Sequence, residues 1–154
     1  MTVSIKRLGP GDEPILDLLA AEDADFDLDG RGDAQRPLDS AAAARFLANP
    51  AVLFWVAKAD DATVGFLYCL HLPLRTGDGH ELLLYEIGVR SAWRRRGTGR
   101  ALMKEMDRWM LANGVGDVWV CADNQGAVEF YRAFRLAAPD PQPVYMTRDE
   151  ARHV

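Results

Sequence analysis

The stretch "LLLYEIGVRSAWRRRGTGRALMKEMDRWMLANG" confines the fold more than any other part of the chain. Leu82 to Val89 is a nearly continuous apolar run of strand length, as expected for a strand buried on both faces. A basic turn carrying Gly97 and Gly99 follows. Apolar residues at helical spacing then predict a helix from about Thr98 to Asn113, ended by Gly114. A buried strand that feeds a long amphipathic helix needs a layered core in which helices cover a sheet.

Around this junction, strand and helix patterns alternate with no internal repeat and no low-complexity linker. "VSIKRL" alternates like a first strand. "EPILDLLAAEDA" carries Ile15, Leu18 and Leu19 at helical spacing, with Pro14 acceptable in a first turn. Asp39 or Ser40 can cap a second helix, "SAAAARFLAN", which Pro50 ends. Strands are expected at Val52 to Ala59 and Thr63 to Leu72, joined by a turn at Asp60 and Asp61. Beyond the long helix, "DVWVCA" reads as a short strand, "NQGAVEFYRAF" as a helix and "PVYMT" as a last strand. The expected fold is α+β, a mixed sheet with helices on its faces, with residues 1–154 forming a single domain.

Charge narrows the choice of ligand. Eighteen basic against 23 acidic residues give a net charge of -5, which argues against general nucleic-acid binding and makes a cationic partner the easier match. The distribution is also uneven: Asp and Glu crowd into residues 12–39, whereas "RSAWRRRGTGR" concentrates positive charge. Two opposite patches suggest two different ligands. No apolar run reaches the length needed to cross a bilayer, and "MTVSIKRLGPGD" lacks the apolar region of a signal peptide. No membrane association and a cytoplasmic location are therefore expected. Cys69 and Cys121 are too few for a disulfide framework, and Cys121 is expected as a small core residue on a strand rather than a nucleophile. His71, His80 and His153 fall on different elements without Cys/His spacing, so no metal site is expected. Trp55, Trp93, Trp109 and Trp119 hold positions explained by packing rather than by stacking on bases.

The most specific chemistry lies at "RRRGTGRAL". Glycines there let the backbone approach a ligand, and the first amides of the following helix are donors at the positive end of its dipole. A phosphate or pyrophosphate suits such a turn, and Arg94, Arg95, Arg96 and Arg100 add donors matched to phosphate oxygens. The same residues also read as a solvated, basic helix start. The spacing is neither the dinucleotide G-x-G-x-x-G nor the Walker G-x-x-x-x-G-K-[ST].

The R-x-x-G-x-G arrangement at Arg94, Gly97 and Gly99, preceded by "YEIGV" and followed by "NQGAVEFYRAF", resembles the GNAT superfamily of N-acetyltransferases. By motif the resemblance covers Leu82 to Leu136, and the order of elements extends it to the whole chain. It implies a central, mostly antiparallel mixed sheet with a splayed strand pair that takes up acetyl-CoA as co-substrate, and no metal. The turn from Arg94 through Thr98 to Arg100 would then hold the pyrophosphate. Ile87, Gly88 and Val89 would run along the pantetheine arm. Asn124, Ala127, Phe130 and Tyr131 match the N-x-x-A-x-x-F-Y motif that lines the thioester. One departure is visible, because members usually continue Y-x-x-x-G-F and this chain has Arg135 and Leu136 in the last two places. "RLGPGD", "LYEIGVRSAWRRRGTGRAL" and the element order are similar to the aminoglycoside 3-N-acetyltransferase branch. Dimers are common in the superfamily, which makes a homodimer compatible with the resemblance.

Two side chains are candidates for the proton transfers. Glu86, on the strand beside the acyl chain, is the candidate base, its pKa raised by partial burial; the other reading is a carboxylate paired with a neighbouring Arg. Tyr131, with an ordinary phenol pKa of ~10, is protonated at neutral pH and can donate to the sulfur; the other reading is a core aromatic. A backbone amide around Ile87 to Val89 can meet negative charge on the carbonyl oxygen.

"DFDLDGRGD", Asp25 to Asp33, begins like a calcium loop, with acidic residues at positions 1, 3, 5 and 9 and glycine at position 6. Position 12 is Arg36, where such a loop needs a bidentate Glu, and Pro37 follows. Calcium is therefore not expected. In the superfamily this segment borders the acceptor, so Asp25, Asp27, Asp29 and Asp33, with Glu86 and Asp123, are candidates to gather a polycationic amine. A solvated acidic loop stays open as the alternative. The implied activity is transfer of an acetyl group to an aminoglycoside amine, with protein N-termini, lysines or polyamines as other acceptors, or a noncatalytic acyl-CoA-binding module on the same scaffold.

Overall fold

A computed structural model describes residues 2–26, 35–77 and 79–148. Five strands form one sheet in chain order: β1 Ser4–Arg7, β2 Val52–Ala59, β3 Ala62–Pro73, β4 His80–Val89 and β5 Asp117–Trp119. The first four pair antiparallel, and β5 runs parallel to β4. The helices are α1 Glu13–Ala21, α2 Asp23–Phe26, α3 Ser40–Ala48, α4 Thr98–Ala112 and α5 Gln125–Arg132. Contacts divide the chain into two compact units, Met1–Val120 with the sheet and α1 to α4, and Cys121–Val154 with α5.

In the first unit, β2 is apolar from Val52 to Ala57 because helices cover both faces of the sheet, and Lys58 near its end is only part-buried. Residues directly opposite on neighbouring strands share a face, so the register groups Phe54, Tyr68 and Glu86 on one side and Leu53, Cys69 and Leu84 on the other. The first side packs against α1, α2 and α3 through Leu19, Phe26 and Leu47. Phe54 stacks on Phe66 and Tyr68 at ring-centroid distances of 5.7 and 5.6 Å. The second side receives α4, whose Thr98, Leu102, Met103, Met106 and Met110 are buried along one stripe. Each buried Leu or Met contributes about 1.5–3 kcal/mol of transfer free energy. Asp39 rather than Ser40 caps α3, accepting a 2.8 Å hydrogen bond from the Ala42 amide. Asp60 turns the β2–β3 hairpin with φ 52.

Two bulges interrupt the ladders. Between β2 and β3 the register steps at Ala57/Lys58, which leaves Val64 as the extra residue. Between β3 and β4 it steps at Tyr68/Cys69, and Tyr85 is the extra residue of β4. The second bulge corrects the expectation that Leu82 to Val89 is buried on both faces. Leu82 and Leu84 are buried, but Tyr85 and Glu86 are both exposed, since the added residue breaks the alternation and re-aims its neighbour.

Other expectations also change. The helix expected over "EPILDLLAAEDA" breaks at Glu22 into α1 and α2, where the Glu22 carboxylate pairs with Arg90. The strand expected over "DVWVCA" ends at Trp119. Cys121 is exposed and outside any strand, so the buried core cysteine is Cys69, whose Sγ lies 3.8 Å from Met106 Sδ. "PVYMT" forms no strand; Val144, Tyr145 and Met146 are exposed, because a short β-prone run without a ladder partner has nothing to hold it extended.

In the second unit, α5 ends in a Schellman turn: the Leu136 amide donates to the Tyr131 carbonyl at 3.2 Å and the Arg135 amide to the Arg132 carbonyl at 3.0 Å. Arg135 therefore has φ 66, a left-handed conformation that suits glycine. The turn survives the departure from the family pattern by tolerating this strain. Arg135→Gly is expected to raise stability by about 0.5–1 kcal/mol, read as a higher urea midpoint. A midpoint that stays put or falls would show that Arg135 makes contacts outweighing its backbone cost.

Candidate active site

The turn between β4 and α4 leaves the start of the helix without a side-chain cap. Arg95 and Gly97 have φ 60 and 86, and Gly97 is the residue preceding the first turn of α4. Having no side chain, it makes no capping hydrogen bond, so the first amides of α4 are not served by a cap. A Cβ built on Gly97 would meet nothing within 4 Å, which leaves the approach to those amides open. Arg95, Arg96 and Arg100 are exposed around it, and Arg96 lies over the Trp93 ring at 5.7 Å. Thr98 serves the protein side instead: it is buried, and its hydroxyl donates to the Trp93 carbonyl at 3.4 Å.

Arg94 has a tethering role that the motif alone does not disclose. Its Nε donates to the Val89 carbonyl at 3.0 Å and its Nη2 to the Asp25 carbonyl at 3.2 Å, fixing the turn to β4 and to α2. Arg90 ties the same elements. Its Nε donates to the Thr63 carbonyl at 2.7 Å, beside the Val64 bulge, while its guanidinium pairs with Glu22 and with Asp25 at 3.2 Å and lies 4.7 Å from the Phe26 ring centroid. Asp25 also accepts from the Ser91 hydroxyl at 2.5 Å. That bond first, and Arg90 with it, hold the Asp25 carboxyl below its ordinary range. Asp25 is thus engaged within the scaffold. Asp27, Asp29 and Asp33 lie outside the described residues.

The β4–β5 ladder runs only from Glu81–Asp117 to Leu83–Trp119. Past that point the outer edge of β4, Leu84 to Val89, has no ladder partner among the described residues. Here lie Ile87, Gly88 and Val89. Gly88 also has a packing reason, since a Cβ there would come within 2.6 Å of the Phe66 ring and 3.0 Å of Phe26 Cβ.

Glu86 stands on the α1–α3 face of the sheet, opposite Tyr68. Its side chain reaches solvent, yet protein crowds much of its surroundings. The open surface keeps the carboxylate hydrated, and the crowding sets the direction of its shift: removal from water first, then the charge of Asp23, push it above the ordinary carboxylate range. Among the described residues it has no ion-pair partner. Tyr68 and Tyr85 flank it with ring centroids 5.3 Å apart. Tyr68, Tyr85 and Asp23 escaped the sequence reading, because the register and the bulge that gather them cannot be seen in one strand at a time.

In the second unit, Asn124 caps α5, its Oδ1 accepting from the Ala127 amide at 2.8 Å and its Nδ2 donating to Asp123 at 3.2 Å. The spacing of Asn124 and Ala127 is thus that of a capping turn. Tyr131 is buried on α5 and Phe130 packs on it edge-on at 5.3 Å. Asp123 is exposed.

Histidines thought to be dispersed come partly together: the His71 and His80 rings lie 4.4 Å apart and Trp109 packs edge-on against His71. Desolvation first, then His80, lower the His71 pKa. Among the described residues no group of three or more His, Cys, Asp or Glu could hold a metal ion, and no helix is long and apolar enough to cross a membrane. Burial pushes the Cys69 thiol up to about 12, far from a nucleophile's range.

No curated protein matches the chain. Among solved structures, the aminoglycoside acetyltransferase meta-AAC0020 from an uncultured soil metagenomic sample is similar at 23% identity and TM-score 0.82, over 96% of this chain and 95% of that one. The aminoglycoside acetyltransferase HMB0005, also from an uncultured soil metagenomic sample, is 22% identical with TM-score 0.81, over 97% and 99% of the two chains. The ribosomal-protein-alanine N-acetyltransferase from Brucella melitensis biovar Abortus 2308 is 21% identical with TM-score 0.75, over 96% and 100%. Identities this low speak for the fold alone. The family description "Acetyltransferase (GNAT) family" matches residues 16–134, well over half the chain, and includes β4, the glycine turn and α5. The chain therefore belongs to the acetyltransferase (GNAT) family and is an acetyl-CoA-dependent N-acetyltransferase.

Proposed function

We propose that the acceptor is a polycationic small molecule, an aminoglycoside acetylated on its 3-amino group before others, in the cytoplasm, with both units acting as one catalytic domain. The observation that carries this reading is the acceptor face itself: Glu86, raised by desolvation and by Asp23, stands without a cationic partner among the described residues and beside two tyrosines. Uncompensated carboxylates on one face draw cations. Following the resemblance, Asp27, Asp29, Asp33 and Asp123 are assigned to the same cationic acceptor, while the Asp25 carboxylate is held by Arg90 and Ser91. A solved structure of meta-AAC0020 in complex with sisomicin lends support by analogy of fold.

The residues of the β4–α4 turn fit acetyl-CoA: uncapped amides, an open Gly97 and exposed arginines suit a pyrophosphate, and the unpaired edge of β4 suits an amide-bearing arm. Bound there, acetyl-CoA supplies an activated thioester. Glu86 takes a proton from the amine, directly or through a water, as the new N–C bond forms and the C–S bond breaks. Tyr131 gives its hydroxyl proton to the departing sulfur, and Asn124, Ala127 and Phe130 hold its helix. Backbone amides from Ile87 to Val89 meet the charge on the carbonyl oxygen.

Release of free thiol from acetyl-CoA tests this across an amine panel: aminoglycosides with and without a 3-amino group, a polyamine, a lysine peptide and a free peptide N-terminus. The highest kcat/KM is expected for the aminoglycosides bearing the 3-amino group, with a single acetyl on it. Preference for a peptide or a polyamine would replace this acceptor reading.

A further inference from the structure

The bulge in β4 adds a residue that the sheet does not require. Removing Tyr85 from the register would leave Glu86 opposite Tyr68 and Leu84 opposite Cys69, so every other pair could form without it. What the extra position contributes is an aromatic ring, 59% exposed, beside the candidate base. Its centroid lies 5.3 Å from that of Tyr68, with the two planes inclined at 55°. Rings so inclined are not stacked face to face, so their faces can diverge as a wedge toward the solvent that Tyr85 meets.

One wall of the wedge is fixed. Tyr68 stacks on Phe54 at 5.6 Å and meets Phe46 edge-on at 5.3 Å, so it cannot turn to fill the gap. Burial first, and the Glu86 charge next, push its phenol above the ordinary range, so the ring stays neutral and offers its quadrupole. Tyr85 supplies the solvent-facing wall, and Glu86 follows it in the chain with its carboxylate on the same face. A ring face attracts a cation within about 6 Å of its centroid, more strongly when water is partly excluded and an anion stands near.

We propose that Tyr68 and Tyr85 form an ammonium-holding wedge that grips a second cationic group of the acceptor while Glu86 faces the reacting amine, so that the enzyme selects di- and polycationic amines over monoamines. The inference rests on the acceptor face assigned above and names how that face recognises its substrate.

Hexamethonium, a bis-quaternary diammonium that cannot be acetylated, separates recognition from reaction. Calorimetry on the full chain is expected to show it binding the wild type at one site per chain. Tyr85→Leu, which keeps an apolar side chain but removes the ring, should weaken that binding about 5- to 30-fold, while Tyr85→Phe should keep it. The apparent KM for a polycationic acceptor should rise in Tyr85→Leu by a similar factor and that for a monoamine should not, with thermal unfolding showing both variants folded. No hexamethonium binding to the wild type, or equal binding by Tyr85→Leu, overturns the wedge. So does a loss in Tyr85→Phe as large as in Tyr85→Leu, since that would make the hydroxyl the contact. Ring-dependent hexamethonium binding without acetylation of any polycationic amine would uphold the wedge and sink the proposed reaction; polycation acetylation with unaltered Tyr85→Leu binding would do the reverse.

Discussion

Glu86→Gln is expected to lower kcat/KM for the amine by about 10²–10⁴-fold, the usual contribution of a positioned general base, with little change in acetyl-CoA affinity. Gln keeps the size and the hydrogen-bonding reach of the side chain but cannot take a proton. The pH profile gives a second readout. A base works when deprotonated, and the Glu86 carboxyl is raised, so the wild-type rate should fall on acidification at a pH above that of an ordinary carboxylate. The residual activity of the variant should lack this limb. Stability should move the other way. A carboxyl that holds its proton more tightly folded than unfolded makes folding less favourable as pH rises through the window between its ordinary and its raised pKa. Gln removes that penalty, so at neutral pH the variant should melt no lower than the wild type. Unchanged turnover, or an acid limb that persists in the variant, would take the base assignment away from Glu86.

Gly97→Val should weaken acetyl-CoA binding at least about tenfold, read as Kd by calorimetry. Two effects combine. A β-branched residue at φ 86 leaves its favoured conformations at a cost of about 1–2 kcal/mol, which tends to pull the turn out of shape. Where the turn keeps its shape, the new side chain enters open space beside the first amides of α4, the place proposed for the pyrophosphate. Gly97→Ala, with no β-branch and less bulk, should fall between the two. A folded Val variant with wild-type affinity would move the pyrophosphate elsewhere.

The legible parts of the chain were those governed by local rules. The β2–β3 hairpin follows from apolar strands around an Asp–Asp turn, and α4 from a stripe of Leu and Met between Gly97 and Gly114, so both fall within a residue or two of expectation. The acceptor side was less legible, because long-range partners made it. Nothing near Asp25 announces that Arg90 and Ser91 will claim its carboxylate, and its place in an acidic run suggested a free charge. Tyr85 was hidden for a different reason: in a run of apolar letters a bulge has no signature until the partner strand shows that one residue is left over. Asn124 read as a ligand contact by family pattern, while its capping of α5 followed from a spacing that was equally visible and went unused.

The bulge has a meaning for heredity as well as for geometry. It sits just past Leu83, the last residue of β4 that pairs with β5, and a bulge bends its strand and sharpens the local twist. Loss of the Tyr85 codon would remove that bend, and the ring with it, while sparing every other pairing. A lineage could therefore redraw this edge of the sheet by a change of length alone, with Glu86 and Tyr131 still in place.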